Sequence, residues 1–493
     1  MQVYLFFGII LIPIVGGAIL PLFRFRSSRA RGMYTLLVCL ACSAHTVALL
    51  LLRRDESLVL YSIMDGLDIV FRCDSLSCVF AGLLAFLWPL ASLYGLEYME
   101  HESGPDRFFA FYTMSLGVAM AIALSGNLFT LYMFYECLTL FTLPLVSHRK
   151  DEASVRAARR YVTFSITGAA MAFVGLIFLI HYGDISLFRL GGVLDAESIA
   201  GRETLLQWVF FTALIGFGTK AALFPLHAWL PAVSVAPTPV TALLHAVAVV
   251  NAGTFAVTRL IYYCFGSAFL AGSPAQTAAL CVTCLTVLLG AVQAIREPHF
   301  KRRLAWSTVS NLSYMLTSLC LMSPGGMAGG LAHLVCHSLM KITMFWCCGA
   351  FMVRTGIEEV RDLRGLGRIM PRTCAFLALG AIALTGIPPL CGFVSKWEIL
   401  MAAEDTGTFM GHVASAVIIT ASLATAVYAL STILPLYFRP LNERWKHLDG
   451  QRLDPGWRML LPLGIVACVI IALGVWSRPL ITFLRQTGAG TGF

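Results

Sequence analysis

Three lysines lie inside apolar stretches of the sequence, namely Lys220, Lys341 and Lys396. The chain has six lysines and 29 arginines, and no arginine is expected deep within an apolar stretch. Arginine keeps its proton in essentially every environment, whereas a lysine buried away from water can lose its proton near neutral pH. The choice of lysine at these three positions therefore indicates groups that bind and release protons inside a membrane.

One acid and several histidines share these apolar stretches. Glu136 lies in "LYMFYECLTLF", and His333, His337 and Lys341 lie at positions i, i+4 and i+8 in "HLVCHSLMK". That spacing puts the two imidazoles and the amine on one face of a helix, an arrangement typical of a proton relay. The further candidates are His227, His245, Asn251 and Glu398.

Other interpretations of these residues stay open. His333 and His337 could be axial ligands of a haem, although the sequence has no second matching pair. A lysine–glutamate pair could simply tie two helices together, and a lone histidine such as His45 or His181 is more often a hydrogen-bonded packing residue. Three lysines, one glutamate and a row of histidines taken together favour proton transport.

Prolines interrupt two of the apolar stretches beside a lysine. Pro225 and Pro231 follow Lys220, and Pro388 and Pro389 precede Lys396. Proline breaks a helix and frees backbone groups that only protein or water can satisfy at membrane depth. Paired interruptions of this kind are typical of transporters built from inverted repeats. We therefore predict a hydrated pocket at each break, through which protons reach the neighbouring lysine.

The elements that must position these groups are membrane helices. The 493 residues are 58% hydrophobic and 12% charged, whereas charged residues make up about a quarter of soluble proteins. Apolar runs long enough to cross a bilayer recur from end to end, and short loops leave no room for a soluble domain. The fourteen predicted spans are 2–22, 33–52, 75–98, 108–125, 127–146, 160–182, 205–230, 238–265, 275–295, 303–322, 328–352, 373–404, 410–438 and 457–484. The first has no basic leader and no cleavage site, so it is interpreted as a retained helix.

The basic residues are distributed unequally between the two sides. Loops near 23–32, 99–107, 147–159, 296–303, 353–372 and 439–458, with the residues at their edges, hold 24 Lys and Arg, and the other side holds 8, including Arg259 at a membrane edge. The positive-inside rule places the richer side in the cytoplasm. The net charge of +9 is therefore a topology signal and does not indicate nucleic-acid binding.

The chain is not expected to hold a cofactor, a metal ion or a catalytic site of its own. Its 15 cysteines are mostly inside predicted helices, where cysteine usually behaves as a small apolar residue. No pattern resembles a zinc site, an iron–sulfur site or a nucleotide-binding glycine motif.

Five motifs resemble those of one family of membrane proteins. They are "YECLTL", "GTKAALFPLHAWLPAVSVAPTPVTALLHAVAVVNAG", "FKRRLAWSTVSNLSYM", "HLVCHSLMKITMFWCCGA" and "LTGIPPLCGFVSKWEIL". The sequence is similar over residues 75–440 to the antiporter-like subunits of respiratory complex I, Mrp-type sodium/proton antiporters and group 4 membrane-bound hydrogenases. The resemblance implies an all-α polytopic membrane protein of about fourteen helices, with two inverted five-helix repeats that each contain a proline-broken helix.

The resemblance also implies a division of the chain and roles for its residues. Residues 1–98 would form helices 1–3, 99–265 the first repeat, 266–438 the second repeat, and 439–493 the last loop and helix. Glu136 and Lys220 would form the ion pair of the first half-channel, Lys341 the central lysine, and Lys396 the end of the second half-channel. Many members carry a lysine where this chain has Asn251, and His245 is the candidate replacement.

The function expected from these features is ion translocation within a larger complex. The leading hypothesis is a proton-translocating subunit of a redox-driven complex, of the hydrogenase or NADH/quinone dehydrogenase type, with or without coupling to Na⁺. The alternatives are a subunit of an Mrp-type secondary antiporter and a structural scaffold with inactive channels. The expected partners are other membrane subunits and a peripheral arm with iron–sulfur or [NiFe] subunits. The expected location is the inner (cytoplasmic) membrane, with both termini outside.

Overall fold

A computed structural model describes residues 2–23, 25, 27–52, 56–64 and 66–490. Arg24 and Arg26 of the first basic loop lie outside these residues. Met1 and residues 491–493, on which the predicted position of the two termini depends, also lie outside them.

Helices dominate the described part of the chain. They are α1 Gln2–Ile19, α2 Ser28–Leu52, α3 Ser75–Tyr98, α4 Pro105–Ala123, α5 Leu128–Val146, α6 Glu152–Tyr182, α7 Glu203–Gly218, α8 Trp229–Ala232, α9 Thr238–Ala242, α10 Val249–Arg259, α11 Ser267–Leu270, α12 Pro274–Arg296, α13 Phe300–Cys320, α14 Pro324–Thr355, α15 Pro371–Thr385, α16 Cys391–Asp405, α17 Phe409–Phe438, α18 Trp457–Val475 and α19 Arg478–Ala489. Short 3₁₀ segments lie at Leu20–Leu22, Met99–His101, Val233–Val235, Val360–Leu363, Leu366–Arg368 and Glu443–Leu448. Two π-helical segments, Leu243–Val247 and Leu260–Phe265, flank α10 and join it to α9 and α11.

Ten of the helical stretches within the described residues are long and apolar enough to cross a membrane. The helices α7 and α15 are apolar but shorter, as expected for the first halves of broken spans. These features establish a multi-pass, mostly helical membrane protein, in agreement with the sequence.

A short β-hairpin lies where the sequence predicts only a loop. Strands β1 Ser57–Met64 and β2 Leu67–Arg72 pair antiparallel between α2 and α3. The backbone oxygen of Val70 accepts from Gly126 N at 2.8 Å, which ties β2 to the start of α5. The strands have eight and six residues, too few to cross a bilayer as helices, so a search for spans passes over them.

Two helical stretches form the centre of the bundle. The most apolar window of Thr238–Phe265 is 100% buried and that of α14 is 94% buried, whereas the corresponding windows of α1, α2, α6 and α18 are at most 39% buried. The outer helices present large apolar side chains to the surroundings, as a lipid-facing surface requires. His245, His333, His337 and Lys341 therefore lie on the most enclosed elements of the protein.

The six basic loops meet on one face of the bundle. Ion pairs join Arg31 to Asp106 and Arg149 to Glu102, and Arg458 to Glu100 at 2.8 Å. Backbone hydrogen bonds complete the connection, with Phe300 N donating to Glu358 O and Asn442 N to Arg364 O. All loops that the charge count places together are thus neighbours in the fold.

Candidate functional site

The first broken helix carries Lys220 into contact with Glu136. Helix α7 ends at Gly218, residues 219–228 form turns, and α8 begins at Trp229. Lys220 is 1% exposed, and its Nζ lies 3.8 Å from Glu136 Oε1 on α5. Pro225 lies in the interruption, whereas Pro231 lies within α8.

The same lysine rests on an aromatic residue. Lys220 Nζ donates to the backbone oxygen of Tyr135 and lies 3.5 Å from the centroid of the Tyr135 ring. The Tyr135 hydroxyl donates to Phe217 O at 2.5 Å, and Trp229 Nε1 donates to Thr219 O at 2.8 Å. Side chains therefore satisfy backbone carbonyls at the break, as membrane depth requires.

The second broken helix is organised differently. Helix α15 ends at Thr385, residues 386–390 include Pro388 and Pro389, and α16 begins at Cys391. Lys396 is 5% exposed, and its Nζ donates to Leu384 O at 2.9 Å and Thr385 O at 3.2 Å. The amine thus caps the last carbonyls of α15, where a helix dipole favours positive charge. Gly392 permits this packing, because a Cβ there would lie 1.9 Å from Ala383 O.

The relay row on α14 is buried and connects to both neighbouring helices. His333 Nδ1 lies 2.9 Å from Ser395 Oγ, next to Lys396 in the chain, and its Nε2 lies 3.2 Å from Asn311 Oδ1 on α13. The rings of His333 and His337 are 6.2 Å apart. The predicted row therefore leads to the second broken helix.

Lys341 ends this row against α13. Its Nζ donates to Ser307 Oγ at 2.5 Å and to Leu304 O at 3.2 Å. Ser307 Oγ lies 2.7 Å from the hydroxyl of Tyr428 on α17. Because no carboxylate holds Lys341 among these contacts, a neutral amine could keep the same partners.

The centre between the two halves contains His245 and Asn251. His245 lies in the π-helical segment Leu243–Val247, is 0% exposed, and has no hydrogen-bond partner among the described residues for either ring nitrogen. Asn251 Nδ2 donates to Ala246 O, Val247 O and, at 2.8 Å, to Ser338 Oγ on α14. Asn251 therefore satisfies carbonyls of the π-helical segment and links it to the relay row.

The interruption at Lys220 packs through its backbone against the helix that carries Asn251. Among the described side chains, no hydrogen bond joins Lys220 or Glu136 to His245. The approach is close, because a Cβ at Gly253 on α10 would lie 2.5 Å from Ala221 N and 2.9 Å from Lys220 C. Only glycine at position 253 therefore allows α10 to pack this closely against the interruption at Lys220.

Two secondary candidates lie at the margin of the site. Glu398 accepts three hydrogen bonds from Arg485 on α19, at 3.1, 3.0 and 2.9 Å. His227 is half-buried, with its ring 5.8 Å from the Trp306 ring. Neither is joined to the row formed by His333, His337 and Lys341.

Hydroxyl and amide groups complete the network, and sequence reasoning missed them. Ser307, Asn311 and Tyr314 lie on α13 at positions i, i+4 and i+7, and Ser395 precedes Lys396. The spacing of the first three places them on one helix face, which is a signal that the sequence carries.

Two charged residues lie deeper than expected. Arg259, expected at a membrane edge, is 1% exposed and holds Asp74 with hydrogen bonds of 2.5 and 2.7 Å. Lys301, counted in the basic loop 296–303, is also 1% exposed. A position near the end of a predicted span does not reveal whether neighbouring elements cover the side chain.

Comparison with known proteins identifies the family. Residues 125–425 match the model described as NADH:quinone oxidoreductase/Mrp antiporter, TM, and residues 64–109 match that of NADH-Ubiquinone oxidoreductase (complex I), chain 5 N-terminus. The first match covers more than half of the chain.

Individual relatives carry both kinds of name. The chain is 30% identical over 94% of its length to a probable K(+)/H(+) antiporter subunit of Rhizobium meliloti, but spans only 46% of that protein. It is 28% identical to an NADH-quinone oxidoreductase subunit of Desulforudis audaxviator, over 85% of this chain and 84% of that protein.

A solved structure shows the same fold. It is that of the membrane-bound sulfane sulfur reductase, an archaeal respiratory membrane complex. Its matching chain is 22% identical with a TM-score of 0.84, over 100% of this chain and 98% of that one. The family model, the relatives and the fold agree with the resemblance seen in the five motifs. The chain therefore belongs to the family of NADH:quinone oxidoreductase and Mrp antiporter membrane subunits.

Proposed function

We propose that the chain is a proton-translocating membrane subunit of a redox-driven complex, of the hydrogenase or NADH/quinone dehydrogenase type. The observation that carries the proposal is the pair formed by Lys220 and Glu136. The lysine is 1% exposed and lies at a helix interruption, and Nζ is 3.8 Å from Oε1. A pair at this distance can open and close as the lysine gains and loses a proton.

The partners of the other two lysines support the same chemistry. The oxygen atoms that hold Lys341 and Lys396 belong to backbone carbonyls and to the Ser307 hydroxyl. An amine held by neutral oxygen atoms can release its proton without leaving an unpaired anion in the membrane.

We further propose fourteen membrane crossings. Ten are the long apolar helices. Helices α4 and α13, of 19 and 21 residues, are long enough to add two more, and the broken pairs α7–α8 and α15–α16 complete the set. The proposed boundaries remain 1–98, 99–265, 266–438 and 439–493.

The order of helices supports two repeats. The groups would be α4, α5, α6, α7–α8 and α9–α10, then α12, α13, α14, α15–α16 and α17. In each group the third helix is long, with 31 residues in α6 and 32 in α14, and the fourth is interrupted. In each group the lysine of the fourth helix also faces a tyrosine of the second. Lys220 Nζ is 3.5 Å from the Tyr135 ring centroid, and Lys396 Nζ is 5.4 Å from that of Tyr314.

The proposed pathway runs along the membrane plane through these groups. Glu136 and Lys220 belong to the first half-channel, and His245 with Asn251 forms the centre. His337, His333 and Lys341 form the relay row, from which Ser395 leads to Lys396. We place the face with the basic loops in the cytoplasm, the chain in the inner membrane, and both termini outside.

A second candidate function is that of an Mrp-type antiporter component, without redox energy. The specific observation in its favour is the relative named a probable K(+)/H(+) antiporter subunit. The redox proposal adds further membrane subunits and a peripheral arm with iron–sulfur or [NiFe] subunits as partners. The antiporter alternative adds only membrane subunits.

Purification of the intact complex separates the two candidates. The chain is tagged, the complex is isolated in mild detergent, and its subunits are identified by mass spectrometry. The redox proposal predicts iron–sulfur subunits and proton uptake by reconstituted vesicles when a reductant is supplied. A complex of membrane subunits alone that exchanges Na⁺ or K⁺ for H⁺ would replace the leading proposal with the alternative.

A further inference from the structure

A fourth buried lysine lies beside the proposed pathway without a role in it. Lys301 lies in the first turn of α13, and its Nζ donates to Ala236 O at 2.5 Å. The adjacent Arg302 has a 50% exposed side chain and pairs with Glu297 at 3.2 Å. The side chain of Lys301 is thus buried whereas that of the adjacent Arg302 is exposed. Because burying a charged group costs free energy, the burial of Lys301 calls for an explanation.

A polar cavity opens on the basic face next to Lys301. It has a volume of about 270 Å³, and its lining includes Tyr98, Glu102, Arg149, Met352 and Glu358. The lining residues come from three basic loops and the helix ends beside them. The lining residue Glu358 accepts, through its backbone oxygen, a hydrogen bond of 2.8 Å from Phe300 N, and Phe300 immediately precedes Lys301.

The cavity and the anchor of Lys301 share one short segment of chain. Thr238 Oγ1 lies 3.3 Å from the Tyr98 hydroxyl and 3.8 Å from Met352 Sδ, and both residues line the cavity. Thr238 is two residues after Ala236, whose carbonyl accepts from Lys301. The carbonyl that accepts from the buried amine is therefore two residues away from a side chain that contacts the cavity lining.

Helix α13 connects Lys301 to the relay. One turn further along α13, Leu304 O accepts a hydrogen bond from Lys341 at 3.2 Å. The π-helical segment Leu243–Val247, which carries His245, packs against both α13 and α14. Lys301 thus lies between the cavity on the basic face and the centre of the proposed pathway.

We propose that Lys301 takes up protons from this cavity and passes them to His245 and Lys341. The inference rests on the proposed function and names the route by which protons reach the relay from the basic face. A hydronium ion that enters the cavity from the basic face gives its proton to the neutral Lys301 amine and becomes water, and the resulting ammonium gives a proton to the relay and becomes a neutral amine again. No other bond forms or breaks.

The competing explanation is that Lys301 only holds Ala236 in place. Lys301→Arg separates the two, because arginine can still donate to the Ala236 carbonyl but does not release its proton. The matched control is Arg302→Met, which removes the neighbouring exposed cation. Each variant is assembled with the full complex and reconstituted, and proton uptake is measured per complex. We expect at least a tenfold loss in Lys301→Arg and less than a twofold change in Arg302→Met. Wild-type uptake in Lys301→Arg would overturn the proposal.

A second variant avoids any question of folding. Met352→Cys is assembled first and then treated in detergent with a bulky thiol reagent, and treated wild type is the control. Loss of uptake in the labelled variant alone is expected, and unchanged uptake after complete labelling would overturn the route. Lys220→Ala in the same vesicles distinguishes the two levels. Normal proton uptake by Lys220→Ala would refute the proposed function. Loss of uptake in Lys220→Ala, together with normal uptake in labelled Met352→Cys, would refute only the route through Lys301.

Discussion

The pair of Lys220 and Glu136 gives the sharpest mutational prediction. At 3.8 Å, and with an effective dielectric constant of about 20, the attraction between the two charges is about 4 kcal/mol. If each translocation cycle opens and closes this ion pair, loss of the pair changes the free energy of one step by about this amount. That free energy corresponds to about a thousandfold change in the rate of the step. Lys220→Ala should therefore reduce proton uptake below detection, and Glu136→Gln should act in the same direction but less completely.

Assembly should survive both changes. In Lys220→Ala the Glu136 carboxylate loses its ionic partner and Oε1 is buried, but the side chain as a whole is 28% exposed at the edge of the bundle, so the carboxylate is only partly enclosed. In Glu136→Gln the lysine keeps the Tyr135 carbonyl and ring. Proton uptake and subunit recovery are measured on the same preparation. The control is Glu152→Gln, which breaks the exposed pair with Arg156 and should change neither quantity. Normal uptake by Lys220→Ala in a fully assembled complex would refute the reasoning, and failure to assemble would support a structural pair instead.

Three further predictions concern the Tyr135 ring, the pair of Arg259 and Asp74, and the membrane topology. Tyr135→Leu should lower uptake by about thirtyfold, because a desolvated cation–π contact contributes about 2 kcal/mol, whereas Tyr135→Phe, which keeps the ring, should retain most of it. Arg259→Leu should prevent assembly, because an unpaired Asp74 costs about 3–5 kcal/mol, and recovery of an intact complex from this variant would contradict a structural role. Single cysteines are placed at the exposed positions 151, 361 and 197 on a background without reactive native cysteines. A thiol reagent that does not cross membranes should label position 197 in intact cells, and positions 151 and 361 only after the cells are permeabilised. The reverse pattern would invert the topology.

The sequence located the charged groups of the membrane interior because such groups are costly and therefore conspicuous. Lys220, Lys341 and Lys396 stand out among apolar neighbours. Pro225, Pro388 and Pro389 lie between helices, whereas Pro231 lies within α8. The spacing of His333, His337 and Lys341 correctly placed them along a single helix. The family followed from the same motifs.

The remaining parts of the site depend on tertiary packing. Ser307, Asn311 and Ser395 are small polar residues of a kind common in membrane helices, so their types alone did not single them out. Lys301 and Arg259 lie near ends of predicted spans, where only the packing of other elements determines burial. The contact of α10 with the first break depends on the absence of a side chain at Gly253, which no periodicity reveals.

The central claim is that the buried lysines must release protons, and lysine-to-arginine substitution tests it most directly. Lys341→Arg and Lys396→Arg keep the positive charge and hydrogen-bond donors, but arginine does not give up its proton. The measurement is proton uptake by vesicles that contain the assembled complex. The account predicts that each variant loses most of the uptake while redox activity of the partner subunits partly persists. Wild-type uptake in both variants would contradict it and would make the lysines fixed charges of a scaffold.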